Sequence, residues 1–126
     1  MANDDNALDE APFYIGDWHI NPSLGRVVGR NSDSDSTKLE PQVMTVLLCL
    51  AKQQGQVVSR DSIEEQAWAN RIVGYDSLST AIIKLRKALG DDSKNPRYIE
   101  TVPKKGYRLI ATVTHAEAEN ANKTDK

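Results

Sequence analysis

The chain has 126 residues and a mass of 14.0 kDa, with 39% hydrophobic and 27% charged residues and a net charge of −2. That length suits a single domain, since domains most often run ~100–150 residues, and it excludes a two-domain enzyme. No apolar run approaches the ~18 residues of a membrane span, the acidic start excludes a signal or transit peptide, and the one cysteine, Cys49, excludes an internal disulfide and points to a reducing compartment.

Residues 1–11 are polar and aperiodic and read as a disordered lead. Phe13-Tyr14-Ile15 and Trp18-His19-Ile20, split by Gly16-Asp17, predict two short strands around a turn. Asn21-Pro22-Ser23 marks a second turn and Arg26-Val27-Val28 a third strand. Residues 29–36 lack apolar side chains and are dense in turn formers, which predicts a loop, and Thr37-Lys38-Leu39 supplies a fourth strand. The first third is therefore expected to be a small antiparallel sheet.

A first helix begins near Pro41, where proline loses only an N–H that would be unpaired anyway. Val43, Val46, Leu47, Leu50 and Ala51 recur at helical spacing, Met44 and Leu48 widen the stripe, and Gly55 stops it. Cys49 inside this stripe reads as a small core residue. Ser59 is a good N-cap for a second helix, with Asp61, Glu64 and Glu65 suited to its positive end. After a short connection containing Gly74, a third helix runs from about Ser77 to Leu89, with Asp76 or Ser77 as cap and Gly90 as stop. Leu78, Ile82, Leu85 and Leu89 fall on one of its faces; at ~100° per residue the opposite face carries Thr80, Ile83, Lys84 and Lys87, with Arg86 on the flank. Residues 91–96 read as a loop, residues 98–102 and 107–113 as strands joined by a tip holding Lys104 and Lys105, and residues 115–126 as a polar tail. Trp18, Tyr98 and Leu109 are expected in the core.

Charge is unevenly spread: residues 1–40 hold three bases and eight acids, whereas residues 71–110 hold nine bases and four acids. A positive field confined to one stretch is what a phosphate-binding face needs, although a solvated basic face has the same composition. Enzyme readings find little support. His19 and His115 stand at opposite ends of the chain, no Cys/His spacing suits zinc, no glycine-rich loop opens a helix, and the acidic pairs lie in expected loops and tails, so no cofactor, metal or small-molecule ligand is expected.

Three helices followed by a β-hairpin is the order of a winged helix-turn-helix, whose outward helix fits the major groove while a cationic hairpin tip lies along the backbone or minor groove. Gly55-Gln56-Val57-Val58-Ser59-Arg60, then Leu85-Arg86-Lys87-Ala88-Leu89, then Ile99-Glu100-Thr101-Val102-Pro103-Lys104-Lys105-Gly106-Tyr107-Arg108-Leu109 resemble the OmpR/PhoB-type winged-helix DNA-binding domain. The wing Pro103-Lys104-Lys105-Gly106-Tyr107 is most similar to the ToxR/CadC branch. The resemblance covers about residues 13–113. It implies an α+β domain over residues 12–114, with an N-terminal antiparallel four-stranded sheet, three helices and a C-terminal β-hairpin wing. It also implies sequence-specific binding of double-stranded promoter DNA by a transcriptional regulator; from the acidic start, no receiver domain is expected, unlike in two-component response regulators. Members of that branch usually continue through a membrane span into a sensor, so the chain resembles the cytoplasmic part of a membrane-anchored regulator.

By the same resemblance, Lys84 reads bases, with Thr80, Ile83 and Lys87 beside it. Ser77 donates to phosphate or caps its helix. Trp68 offers its indole N–H to phosphate, though most of its surface is expected in the core. Arg86 contacts phosphate or pairs with Glu64 or Glu65. Thr101, Lys104, Lys105 and Tyr107 form the wing contacts. Pro103 stands where many response regulators carry arginine, leaving Lys104 or Arg108 for a minor-groove contact. Residues 70–75 match a loop that touches RNA polymerase in relatives, and relatives pair on repeated sites, which implies a DNA-dependent homodimer. The competing reading is a winged-helix protein-interaction module, for example one recruiting RNA polymerase, with little DNA affinity; the exposed Ile83 and the acidic sheet would suit it.

Overall fold

The computed structural model describes residues 11–29, 32–68, 74 and 76–115, with the backbone alone at 32–35 and 115. The expected lead at 1–10, the tail at 116–126 and most of the 70–75 connection lie outside the described residues. The described residues form two compact units, one of those up to Leu39 together with those of 112–115, the other of those within Glu40–Ala111.

The first unit is an antiparallel sheet of β1 (Phe13–Ile15), β2 (Trp18–Asn21), β3 (Arg26–Gly29), β4 (Ser32–Lys38) and β8 (Val113–His115), in the order β4-β3-β2-β1-β8. Phe13 pairs with Ile20 and Ile20 with Val27, so three buried side chains form one row across the strands. Two expectations are corrected. The loop expected at residues 29–36 is largely strand, since β4 starts at Ser32 and pairs along β3, with an irregularity between Val28 and Gly29. An edge strand needs one hydrogen-bonded neighbour and no apolar side chains, so a polar run hides it. The second correction concerns the chain after Leu109. The strand expected over residues 107–113 ends there, and Val113–His115 pairs with β1, giving five strands instead of four.

The second unit contains α1 (Pro41–Lys52), β5 (Val57–Ser59), α2 (Arg60–Ala67), α3 (Ser77–Leu89), β6 (Ile99–Val102) and β7 (Gly106–Leu109). Pro41 opens α1 as expected, and Val43, Met44, Val46, Leu47, Cys49 and Leu50 are all buried. Ser59 caps α2, its hydroxyl accepting from the Ser62 N–H at 3.1 Å. Gly90 ends α3 in the left-handed conformation, φ 65°, with its N–H and that of Asp91 returned to the Lys87 and Arg86 carbonyls. Asp91 then fixes the approach to β6, its carboxylate accepting from the Arg97 and Ile99 N–H groups at 2.7 and 2.9 Å. Leu109 is fully buried, whereas Trp18 and Tyr98, expected wholly in the core, are half-buried.

The wing is a three-stranded sheet, β5-β7-β6, instead of a simple hairpin. Val58 pairs with Tyr107 and Ser59 with Gly106, so the strand leading into α2 is stitched to the wing. Gly106 makes this approach possible: its φ is 154°, and a Cβ there would sit 2.0 Å from the Val58 carbonyl oxygen and 2.9 Å from the Ser59 Cα. Gly106→Ala is therefore expected to destabilise the fold by about 3 kcal/mol or more, the order of a strained backbone position combined with a backbone clash. Urea unfolding followed by circular dichroism measures it; a loss below about 1 kcal/mol would mean that β5 and β7 can separate freely.

Candidate nucleic-acid interface

Burial of one face of α3 decides which residues it presents. Leu78, Ile82, Leu85 and Leu89 are buried, with Ala81 and Ala88 beside them. Thr80, Ile83, Lys84 and Lys87 are consequently exposed together, Ile83 at 63%. Ser77 is the first helical residue and half-buried, with its N–H on the Gly74 carbonyl at 3.1 Å. Asp76 takes the N-cap position without a side-chain capping bond.

Lys84 is not a free cation. Its Nζ lies 2.6 Å from Oε1 of Glu40, the N-cap residue of α1. The pair borders an open groove of about 430 Å³ also lined by Trp68, Asp76, Ser77 and Thr80. Trp68 is the C-cap residue of α2 and half-buried. Sequence reading missed Glu40 because its partner is 44 residues away and no local pattern signals the contact.

Arg86 does not make the ion pair weighed for it. Its Nη2 donates to the Ile99 carbonyl at 3.0 Å and to the Thr101 hydroxyl at 2.8 Å, so it ties α3 to β6 instead of pairing with Glu64 or Glu65. Glu64 faces Arg60 at 3.9 Å. Thr101, expected as a wing contact, is exposed but serves as acceptor for Arg86. Tyr107 is 6% exposed, and its hydroxyl accepts from Arg60 Nη1 at 3.1 Å, so this residue braces the wing from inside and presents little surface. Arg108, one candidate for the contact missing at Pro103, is paired across the sheet with Glu100.

The wing tip is different. Lys104 and Lys105 are both exposed, and the Lys105 N–H closes the turn on the Val102 carbonyl at 3.0 Å. Lys104 has φ 65°, a left-handed conformation that favours glycine. Cys49 is buried, donates to Gln66 Oε1 at 3.2 Å, and has its thiol pKa raised by burial, so it stays protonated and structural. Among the described residues no group of His, Cys, Asp or Glu could hold a metal ion, and no helix is long and apolar enough to cross a membrane.

The geometry is that of a winged helix with one exposed helix face and a cationic tip. A family model described as "Transcriptional regulatory protein, C terminal" matches residues 34–109. The chain belongs to this family. It is 35% identical over 107 residues to the transcriptional activator CadC of Escherichia coli, covering 84% of this chain and 20% of CadC. It is 33% identical over 108 residues to the cholera toxin transcriptional activator of Vibrio cholerae, covering 84% of this chain and 37% of that protein. The chain thus spans well under half the length of these relatives. The solved DNA-binding domain of E. coli CadC superposes with a TM-score of 0.72 at 32% identity, covering 83% of this chain and 96% of that domain. The Klebsiella pneumoniae RstA DNA-binding domain, solved in complex with the RstA box, gives 0.66 at 27% identity, covering 79% and 96%. The expected resemblance and α+β winged-helix class are both borne out.

Because Arg86 bridges α3 to the wing, Arg86→Ala is expected to lower stability by about 2 kcal/mol, the order of a charged hydrogen bond lost from a part-buried carbonyl. Chemical denaturation checks this in the absence of any DNA; unchanged stability would return Arg86 to a purely external role.

Proposed function

We propose that this chain binds double-stranded promoter DNA in a sequence-dependent way and thereby regulates transcription. In this reading α3 enters the major groove, and the wing tip lies on the adjacent minor groove or backbone. The observation that carries the reading is the outward face of α3: Thr80, Ile83, Lys84 and Lys87 stand exposed on a helix whose other face is locked in the core. A lysine and a threonine suit base edges, and Ile83 suits a thymine methyl. Family membership and the neighbouring domain solved on its box support DNA over a purely protein-binding module.

The roles divide by geometry. Lys104 and Lys105 supply charge to phosphate without reading sequence. Lys84 and Thr80 read base edges, with Ile83 and Lys87 beside them, and Ser77 and Trp68 face the backbone. Arg86 and Thr101 act chiefly by holding the wing against α3, and Tyr107 by bracing it against Arg60 at the start of α2. Contact with RNA polymerase through residues 70–75, DNA-dependent pairing of two chains, a cytoplasmic location on a membrane-anchored protein and the absence of enzymatic activity belong to the same proposal.

Binding to duplex DNA across a salt series tests it. Lys104→Ala and Lys105→Ala are expected to weaken binding to all sequences and to flatten the log–log salt slope by roughly 0.9 each. Lys84→Ala is expected to alter base preference at one position by about 1 kcal/mol, read by enrichment from a randomised duplex pool. An absence of duplex affinity at low salt would overturn the reading. A flat response to all three changes would move the contact face elsewhere.

A further inference from the structure

Two lysines stand on the outward face of α3, and the structure treats them differently. Lys87 has no ion-pair partner among the described residues, whereas Lys84 is held by Glu40 at 2.6 Å. Glu40 occupies the N-cap position of α1, where an acidic side chain would ordinarily turn to the unpaired N–H groups of its own helix. It makes no such bond. Its backbone is nevertheless fixed, with Pro41 following and its carbonyl accepting from the Met44 N–H at 2.9 Å. The carboxylate is thus presented from a rigid helix start to a residue on another helix.

This pair contributes little to the fold, because both side chains are at least half exposed, Lys84 at 50% and Glu40 at 67%, and exposed ion pairs are weak. Its effect falls on Lys84. A free lysine is a mobile point charge that finds any phosphate. An ammonium carries three donors, and one given to Glu40 leaves two in directions set by the pair. The nearby carboxylate also offsets the charge that a phosphate would attract.

We propose that Glu40 is a specificity-determining residue, which orients Lys84 toward base edges and suppresses its use as a general phosphate contact. This rests on the DNA-binding reading above and deepens it. Glu40 acts through Lys84, so it is a positioning residue and makes no base contact of its own.

The test compares the wild-type chain, Glu40→Gln, Lys84→Gln and the double variant on two probes. One probe is the duplex that the wild-type chain enriches from a randomised pool, and the other is a scrambled duplex of equal length. Glu40→Gln is expected to bind the scrambled duplex about two- to fivefold more tightly, the range open to one exposed pair, with a salt slope steeper by up to roughly 0.9. Its affinity for the enriched duplex should stay level or fall, so the ratio between the two narrows. In the Lys84→Gln background, Glu40→Gln should leave that ratio unchanged. Thermal unfolding should be the same for the wild-type chain and Glu40→Gln. If the ratio does not move in Glu40→Gln, or moves equally without Lys84, the inference is overturned while DNA binding itself stands. If the wild-type chain binds neither duplex, both readings fall together.

Discussion

Four aliphatic side chains on one face of α3 constrain everything that follows. Leu78, Ile82, Leu85 and Leu89 are buried to 1% exposure or less, which fixes the rotation of the helix about its axis. A helix free to roll by one residue would present a different set of side chains. With the roll fixed, Thr80, Ile83, Lys84 and Lys87 have no route to the core. The outward face is therefore a consequence of packing before it is a matter of recognition. Exposure of Ile83 follows the same logic: a β-branched apolar residue is held in solvent by the burial of its neighbours, not by any preference of its own.

The wing is tied to that helix by polar bonds. Arg86 leaves the flank of α3 to reach the Ile99 carbonyl and the Thr101 hydroxyl on β6. On the other side, Val58 and Ser59 pair with β7 just before α2 begins, and Arg60 reaches the Tyr107 hydroxyl. The wing is thereby connected both to the third helix and to the start of the second. Such links set the separation between the exposed helix face and the wing tip. A surface that must meet two parts of a duplex needs a defined separation more than it needs additional charge.

Much of this was legible in the sequence, and the failures have physical causes. The three helices, their caps at Ser59 and Gly90, and the buried stripe of α3 follow from periodicity and local chemistry, which act within a few residues. β4 was hidden because a polar edge strand carries no alternation of apolar side chains. β5 was hidden because three residues are too few to show a period. β8 was hidden because its partner, β1, lies about a hundred residues earlier in the chain. The partners of the candidate site residues were hidden in the same manner. Lys84, Lys104 and Lys105 could be identified as exposed cations from local pattern alone, but the partners of Lys84, Arg86 and Tyr107 are distant in sequence and only the fold brings them together.

Net charge is the clearest case of a quantity that misleads when it is summed. A total of −2 argues against a polyanionic partner, yet it averages a stretch of three bases and eight acids over residues 1–40 with one of nine bases and four acids over residues 71–110. Even within the basic stretch, counting charges overstates what is available. Arg86 is directed inward to β6, Arg108 is paired with Glu100, and Lys84 is paired with Glu40. What remains at the wing tip is a pair of exposed lysines on a tight turn, one of them held at a left-handed φ that glycine would occupy more cheaply. A glycine there would relax the backbone and remove the charge. Keeping a lysine at a strained tip while neighbouring cations are bound internally concentrates the unrestrained positive charge of the wing at its end. Under the proposed reading, a mobile tip charge suits phosphate and a restrained helix charge suits a base edge, so the two classes of contact differ in how far each lysine is allowed to move.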